Sequence, residues 1–210
     1  QGGLWCKGYS PGGFNGVYGD GTYAAVQRFK KAAGFDDADG NINKDFMKAL
    51  LDMSAFKLLS GGKEEIRTIQ QQLNKDYYDF YQICPCNGLY DRDMNKMLIY
   101  ALQKEEGIPK ASATGTWGPS TISKCPRLEL GKSSNVVKLV RYALVCNGIS
   151  VSTSSKTYDS TLDAKATEFA KLLKLNKKSN VIDYTIIKSL LSSNGDPNRS
   201  AKGCDTSTRL

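Results

Sequence analysis

The sequence contains no histidine, and this absence removes several kinds of catalytic and metal-binding site. Histidine is the usual general base near neutral pH and the partner of the nucleophile in Ser-His and Cys-His arrangements. Zinc sites of the mixed Cys/His kind are excluded for the same reason. The cysteines do not compensate, because Cys84-Pro85-Cys86 is too short for a redox motif and no second close pair completes a four-thiolate site. We therefore expect no metal and no cofactor.

The six cysteines leave two interpretations open. Their spacing does not suggest a disulfide framework, which favours mostly free, buried thiols. The even count also permits at least one bridge, for example from Cys84 or Cys86 to Cys125.

Long apolar runs are also missing, so we expect no transmembrane helix and no membrane partner. The formal net charge of +8 favours a polyanionic neighbour, such as nucleic acid, acidic lipid or an anionic cell-wall polymer. The basic residues are scattered, however, which is equally typical of a solvated surface and speaks against nucleic acid.

The acidic residues form no obvious hydrolytic pair. Glu64-Glu65, Glu105-Glu106 and Asp36-Asp37 are adjacent in sequence. Neighbouring residues on a helix diverge by about 100°, so such pairs do not face one another as glycosidase carboxylates must. We expect no enzymatic activity from this fragment.

An internal repeat is the main positive signal in the sequence. Shifted by 140 residues, 4–51 falls on 144–191 without a gap, and identities occur in helices and turns alike. A less exact middle copy lies between them, in which 87–90 repeats 15–18. After one extra residue, Asn95 matches Thr22.

Each copy predicts three short helices, and hence an all-α fold. Ile66, Ile69, Gln70 and Leu73 form a stripe at helical spacing, as does the apolar run 136–144, which ends at Asn147-Gly148. After a glycine-aromatic turn, the second helix is predicted to begin at a Thr22 cap, with Tyr23, Val26, Phe29 and Ala33 inward. The third helix is predicted to begin near Asn43, Pro119 and Asp183. Trp5 and Tyr9 are expected in or near the core.

Composition shifts set the expected boundaries of the three modules. We predict modules at 1–55, 62–127 and 130–193, with 194–210 as a linker into a further domain. Residue 1 corresponds to residue 141, in the middle of the third copy's first helix. We therefore expect residues preceding Gln1 to complete the first module in the intact protein.

The repeat resembles the peptidoglycan-binding repeat, a three-helix module attached to many bacterial and phage cell-wall hydrolases. The family pattern appears as Gly16-Val17-Tyr18-Gly19, Thr22, Ala25-Val26 and Phe29, and its turn recurs at 115–121. The third copy has Thr157-Tyr158-Asp159 and lacks both turn glycines. The tail 203–210 is similar to the first strand of a glycoside-hydrolase-like barrel, in which Asp205 would match an active-site aspartate.

The resemblance implies non-catalytic, multivalent binding of peptidoglycan, outside the cell or in the cell wall, by a secreted or phage-encoded lytic protein. Its partners would be the glycan or stem peptide, and anionic wall polymers besides. Aromatic faces at the turns would stack on sugar rings, and exposed helix N-termini at Thr22 and Asn95 would accept a carboxylate. The predicted ligand-binding residues are Tyr18, Asp20, Thr22, Tyr23, Tyr90, Arg92, Asn95 and Trp117.

Two other functions remain open at this stage. The modules would serve equally as a spacer or assembly scaffold with no ligand of their own. A basic helical array that binds nucleic acid is the less favoured alternative.

Overall fold

The computed structural model describes residues 1–192, and within them the fold is almost entirely helical. The prediction of an all-α fold is confirmed. The helices are α1 (Gly2–Cys6), α2 (Asp20–Ala33), α3 (Lys44–Leu51), α4 (Glu64–Tyr77), α5 (Arg92–Glu105), α6 (Pro119–Lys124), α7 (Asn135–Cys146), α8 (Ser160–Leu172) and α9 (Tyr184–Ser192). A 3-10 turn covers Lys110–Ser112, and the strands are β1 (Leu128–Glu129) and β2 (Val181–Ile182). The predicted barrel strand at 203–210, with Asp205 and Cys204, lies outside the described residues.

The chain divides into two compact units, Gln1–Leu89 and Tyr90–Leu210. The boundary falls at the glycine-aromatic turn of the predicted middle module, 62–127. We call these the first and second units. The number and limits of the three modules stay predictions.

The core of the first unit is built around Phe29 of α2, whose side chain is fully buried. Three aromatic rings meet it edge to face, at centroid distances of 5.4 Å for Tyr9, 5.3 Å for Phe46 and 5.0 Å for Phe56. Edge-to-face pairs of this kind stabilise a core by more than their buried area alone. The Tyr9 hydroxyl also donates to the Phe56 carbonyl at 2.8 Å, so its predicted place near the core is confirmed.

The core of the second unit is organised by α7, which packs against α5, α8 and α9. Its buried side chains occupy more than one face, because helices pack against it on several sides. Strand β1 pairs antiparallel with β2, with Leu128 opposite Ile182, and closes one edge of this unit.

The helix boundaries of the two units follow the 140-residue shift. Helices α2 and α8 begin at Asp20 and Ser160, and α3 and α9 begin at Lys44 and Tyr184. Helices α1 and α7 both end at a cysteine, Cys6 and Cys146. These helices therefore begin at equivalent positions and end within one residue of each other, apart from the shorter α1.

Several predicted helix ends are confirmed. The Asn43 side chain caps α3 by accepting from the Phe46 N–H at 2.8 Å, and Pro119 opens α6. The Asp183 carboxylate accepts from the N–H groups of Thr185 and Ile186 at the start of α9. Helix α7 ends at Cys146 with Asn147 as its C-cap, followed by Gly148 at positive φ.

The predicted cap at Thr22 is wrong. Helix α2 begins at Asp20 after an extended Gly19, so Thr22 lies in the first helical turn and is buried. Asn95 is likewise inside a helix, because the Asp91 side chain caps α5 by accepting from the Met94 N–H at 3.1 Å. Residue type alone could not place these caps, because glycine and threonine are about equally good N-caps, as are aspartate and asparagine.

Two aromatic side chains predicted to lie inward are exposed. Trp5 of α1 is 57% exposed and Tyr23 of α2 is 44% exposed. Helix α1 has only five residues, too few for periodicity to define its buried face.

The five described cysteines carry free thiols. Cys84, Cys86 and Cys146 are buried, Cys125 is half-buried and Cys6 is exposed. Burial raises the pKa of both Cys86 and Cys125 to about 12. None of the helices in residues 1–192 is long and apolar enough to cross a membrane.

Candidate functional site

A buried glutamine on α4 holds the glycine-aromatic turn that follows it. Gln70 accepts a hydrogen bond from the Gly88 N–H at 2.8 Å through its side-chain oxygen. Its amide nitrogen donates to the Leu89 carbonyl and to the Asn87 side chain, each at 3.0 Å. We call a side chain in a helix, or at its N-cap, that bonds to the backbone of a later turn a turn anchor.

The same turn anchor recurs in two other places. In the first unit, Gln1 accepts from the Gly16 N–H at 3.0 Å and donates to the Val17 carbonyl at 3.0 Å. In the second unit, Gln103 of α5 accepts from the Gly115 N–H at 3.0 Å and donates to the carbonyl of Thr116 at 3.0 Å. In each case one amide satisfies two backbone groups that a tight turn would otherwise leave unpaired.

The third copy uses an arginine as its turn anchor. Arg141, which corresponds to Gln1, is fully buried and donates to the Thr157 carbonyl at 2.9 Å and the Ser152 carbonyl at 3.1 Å. It also pairs with Asp159 at 2.6 Å. Burial opposes ionisation of Asp159, but hydrogen bonds from the Leu162 N–H and Arg141 outweigh it and lower the pKa of that carboxyl. An ion pair thus holds this turn where a neutral amide holds the others.

The predicted residues Tyr18 and Tyr23 meet at Gly40 in the first unit. The Tyr18 hydroxyl donates to the Gly40 carbonyl. The Tyr23 ring lies so close that a Cβ on Gly40 would come within 2.1 Å of its Cδ2 and Cε2 atoms. Both tyrosines stay about half exposed, at 46% and 44%. They form an aromatic surface, but the Tyr18 hydroxyl is already used by the fold.

A buried lysine pairs with the loop that carries Gly40. The Lys30 ammonium lies 2.5 Å from Asp39 and 3.3 Å from Asp37, and its side chain is fully buried. Burial alone would lower its pKa, but the hydrogen bonds that it donates to the Asp39 and Asp37 carboxylates outweigh burial and raise the pKa. The loop 37–41 is therefore fixed beside Tyr18 and Tyr23 by a charge that stays on at neutral pH.

In the third copy, the residue equivalent to Tyr18 is enclosed by other side chains of the chain. Tyr158, which corresponds to Tyr18, is fully buried, and its hydroxyl donates to Asp163 at 2.5 Å. Lys177 reaches the same carboxylate at 2.5 Å with a side chain that is 1% exposed. Burial and the adjacent carboxylate both raise the pKa of the Tyr158 phenol. This closed arrangement leaves no open aromatic face at Tyr158.

The middle-copy residues are divided between packing and surface. The Tyr90 hydroxyl donates to the Leu190 carbonyl of α9 at 2.8 Å. Arg92 is exposed in the first turn of α5, while Asn95 lies half-buried one turn further on. The structure therefore does not gather these three into one exposed surface.

Of the remaining predicted residues, Trp117 has the most unusual environment. Its indole Nε1 is buried and has no hydrogen-bond partner, although a buried indole N–H normally finds one. Asp20 is exposed at the start of α2. The Thr22 hydroxyl is held within the first unit, where it accepts from the Gln1 amide at 3.1 Å.

The sequence analysis did not identify Glu106 as special. Both of its carboxylate oxygens are buried without a hydrogen-bond partner. Burial raises the pKa of Glu106 to about 7, with the Lys124 ammonium opposing this only in part. The turn anchors were also missed, although Gln70 gave a signal as a polar residue within an apolar stripe.

Within residues 1–192, no group of three or more cysteine, aspartate or glutamate side chains could hold a metal ion. The arrangement consists of turns whose backbone groups are hydrogen-bonded to glutamine or arginine side chains, with aromatic side chains exposed in the first unit.

Comparison with known protein families places this chain among domains of the peptidoglycan-binding type. Residues 1–50 match the family described as "Putative peptidoglycan binding domain", and residues 59–191 match "FadG/YbfG, PGDB-like domain". The second match spans more than half of the chain, which therefore belongs to the FadG/YbfG PGDB-like domain family. Peptidoglycan is thus the kind of partner that the first match indicates.

Two relatives come from Bacillus subtilis (strain 168). The "Uncharacterized protein YbfG" is 49% identical over 211 residues, which cover 99% of this chain and 29% of that protein. The "Uncharacterized protein FadG" is 39% identical over 216 residues, which cover 100% of this chain and 37% of that protein. The chain thus spans about a third of the length of these relatives. No solved structure matches it.

Proposed function

We propose that this chain is a non-catalytic, multivalent region that binds bacterial cell-wall peptidoglycan. The observation that carries the proposal is that binding-type families match it on both sides of residue 55, over 1–50 and 59–191.

The recurring turn anchors support more than one binding element. Gln1, Gln70 and Gln103 each hold a glycine-containing turn in the same way. Small helical modules of this size bind weakly by themselves. Linked modules convert later binding steps into intramolecular ones and so raise overall avidity about 10²-fold or more.

We further propose that the region targets an attached cell-wall hydrolase to the wall, outside the cell. The two relatives are about three times longer than this chain, which leaves room for such a domain in a protein of this kind. Anionic wall polymers would add a weaker, charge-dependent attraction to a chain of net charge +8.

Co-sedimentation with purified, protein-free cell walls tests the proposal directly. We expect the chain to sediment with walls from which anionic polymers have been stripped, at about 0.15 M salt, where the Debye length is about 8 Å. Retention in the supernatant under these conditions would reject peptidoglycan binding. A steep linear fall of log affinity with log salt, seen also with DNA, would instead indicate nucleic-acid binding.

A second candidate function is a spacer or assembly scaffold without a ligand. It is favoured by the internal use of two predicted ligand hydroxyls, since Tyr18 bonds to Gly40 and Tyr90 to Leu190. Exchanging the region for an unrelated domain of similar length in the intact protein discriminates between the two. A spacer tolerates the exchange, whereas a binding region loses attachment to the wall.

A further inference from the structure

We infer that Trp5 and Phe14 form a sugar-stacking surface on the first unit, which takes a neutral N-acetylated sugar of the glycan strand. The inference rests on the proposed function and goes beyond it by locating a site and a ligand class. Neither residue belongs to the turn surface predicted from the sequence.

The two side chains form an exposed aromatic pair. Their ring centroids are 5.7 Å apart at an interplanar angle of 75°, and Trp5 and Phe14 are 57% and 63% exposed. Large aromatic surfaces left open to water are costly, and when they cluster they mark binding surfaces. An aromatic ring offers a flat apolar face together with, in tryptophan, an N–H donor.

The fold does not require aromatic side chains at these two positions. With the 140-residue shift, Trp5 corresponds to Val145 and Phe14 to Ser154. In the second unit, Val145 is half-buried and Ser154 is exposed. The same fold is thus built with a small aliphatic and a polar residue there, so packing does not require two aromatic rings.

The neighbouring apolar residues of the first unit have a different explanation. Tyr18 and Ile42 correspond to Tyr158 and Ile182, which are fully buried. In the second unit the backbone of 128–134 covers them, through β1–β2 pairing and the mutual bonds of Tyr158 with Gly131 and Lys132. Packing therefore explains why apolar residues occur at positions 18 and 42. It does not explain the aromatic residues Trp5 and Phe14.

The polar surroundings favour a neutral sugar. Asn15, next to Phe14, is held through its side-chain oxygen by the Gln1 amide and the Val17 N–H, both at 3.0 Å. Its amide nitrogen has no partner among the described residues and can bond an acetamido carbonyl or hydroxyl. Two basic side chains of the first unit are bonded to protein carbonyls, since Lys7 donates to Ser54 at 2.5 Å and Arg28 donates to Ser10 at 2.8 Å.

Tryptophan fluorescence provides the test with a soluble probe. The chain has two tryptophans, so the emission of Trp5 is the difference between the parent chain and Trp5→Val. Titration with the β-1,4-linked tetramer of N-acetylglucosamine should give a saturable change in its emission. No change up to millimolar tetramer, or a change with free stem peptide instead, would overturn the assignment to the glycan.

The substitutions chosen for the test place at positions 5 and 14 the residues found at the equivalent positions of the second unit. Trp5→Val with Phe14→Ser copies the second unit, and we expect co-sedimentation with walls to weaken at least about tenfold, as truncation of interface aromatics commonly does. Tyr184→Ala, which removes an aromatic 47% exposed in the second unit, should bind as the parent chain does. Far-UV circular dichroism checks the fold, and Phe14→Ser alone serves if the double variant unfolds.

The outcomes separate this inference from the proposed function. If the parent chain fails to sediment with walls, the proposed function is rejected. If the parent chain and the double variant sediment equally well, the proposed function stands and the Trp5–Phe14 site is rejected.

Discussion

Glu106→Gln should abolish one pH-dependent contribution to stability while keeping the size and shape of the side chain. Both carboxylate oxygens of Glu106 are buried without a partner, and the pKa of this group is raised from 4.5 to about 7. The folded state therefore binds the proton more tightly than the unfolded state does. The contribution of Glu106 to the free energy of unfolding is therefore complete below pH 4.5, is lost as the pH rises through about 7, and is absent above that.

The size of the effect follows from the shift. One pKa unit corresponds to about 1.4 kcal/mol, so the shift sets an upper limit of about 3.4 kcal/mol, and we expect about 2 to 3 because the side chain is partly exposed. The Lys124 ammonium is the opposing charge here. The nearby Cys125 thiol stays neutral, since burial and the Glu106 and Asp183 charges raise its pKa to about 12.

Urea denaturation at intervals between pH 4.5 and 8.5 measures this directly. The free energy of unfolding of the parent chain minus that of Glu106→Gln should fall by about 2 to 3 kcal/mol across the range, most of it below pH 7.5. Glu65→Gln, which removes an exposed carboxyl, corrects for the change in net charge. A difference that stays flat with pH would refute the reasoning, because it would mean that Glu106 is solvated in the folded state.

Three further predictions concern the turns and the thiols. Gln70→Leu should lower the free energy of unfolding by about 2 to 3 kcal/mol, because the Gly88 N–H and two acceptors lose their partner. Gln72→Leu, which loses only an exposed contact to Asp76, should change it by less than about 0.5 kcal/mol in the same denaturation assay. Gly34→Ala should cost at least about 2 kcal/mol, since a Cβ would lie 2.3 Å from the Gln71 carbonyl oxygen at a φ of 75°. Gly8→Ala, at a φ of 86° with open space around it, should cost only about 1 kcal/mol, and equal costs would contradict the steric argument. Thiol labelling mapped by mass spectrometry should modify Cys6 in the native chain, and Cys84, Cys86 and Cys146 only after denaturation; native labelling of Cys86 would contradict its burial.

Much of the fold could be predicted because the signals are local. The stripes at 66–73 and 136–144 identify α4 and α7, and Pro119 and Asn43 mark helix starts through their own backbone chemistry. The 140-residue shift carried these boundaries from one end of the chain to the other. Caps were placed less well, because Gly19 and Asp91 compete with nearby Thr22 and Asn95 for the same role.

The environment of single side chains was predicted less well, since it depends on contacts distant in sequence. Trp5 lies on a five-residue helix whose buried face only the packed structure defines. Tyr18, Tyr90 and Tyr158 match one another in sequence, yet their hydroxyls bond to Gly40, Leu190 and Asp163. Their predicted role in ligand binding stays a prediction. Glu106 is adjacent to Glu105 in sequence, and its burial could not be read from that pair.

The turn anchors have a consequence for how such a protein changes over generations. Gln1, Gln70 and Gln103 bond to peptide groups of the turns, which every residue type except proline provides in full. The shape of each turn is therefore largely independent of the side chains it displays. Substitutions on the outer face of one turn can change the surface chemistry of that turn without disturbing the helices. A chain built in this way can vary one exposed position at a time while its backbone stays the same.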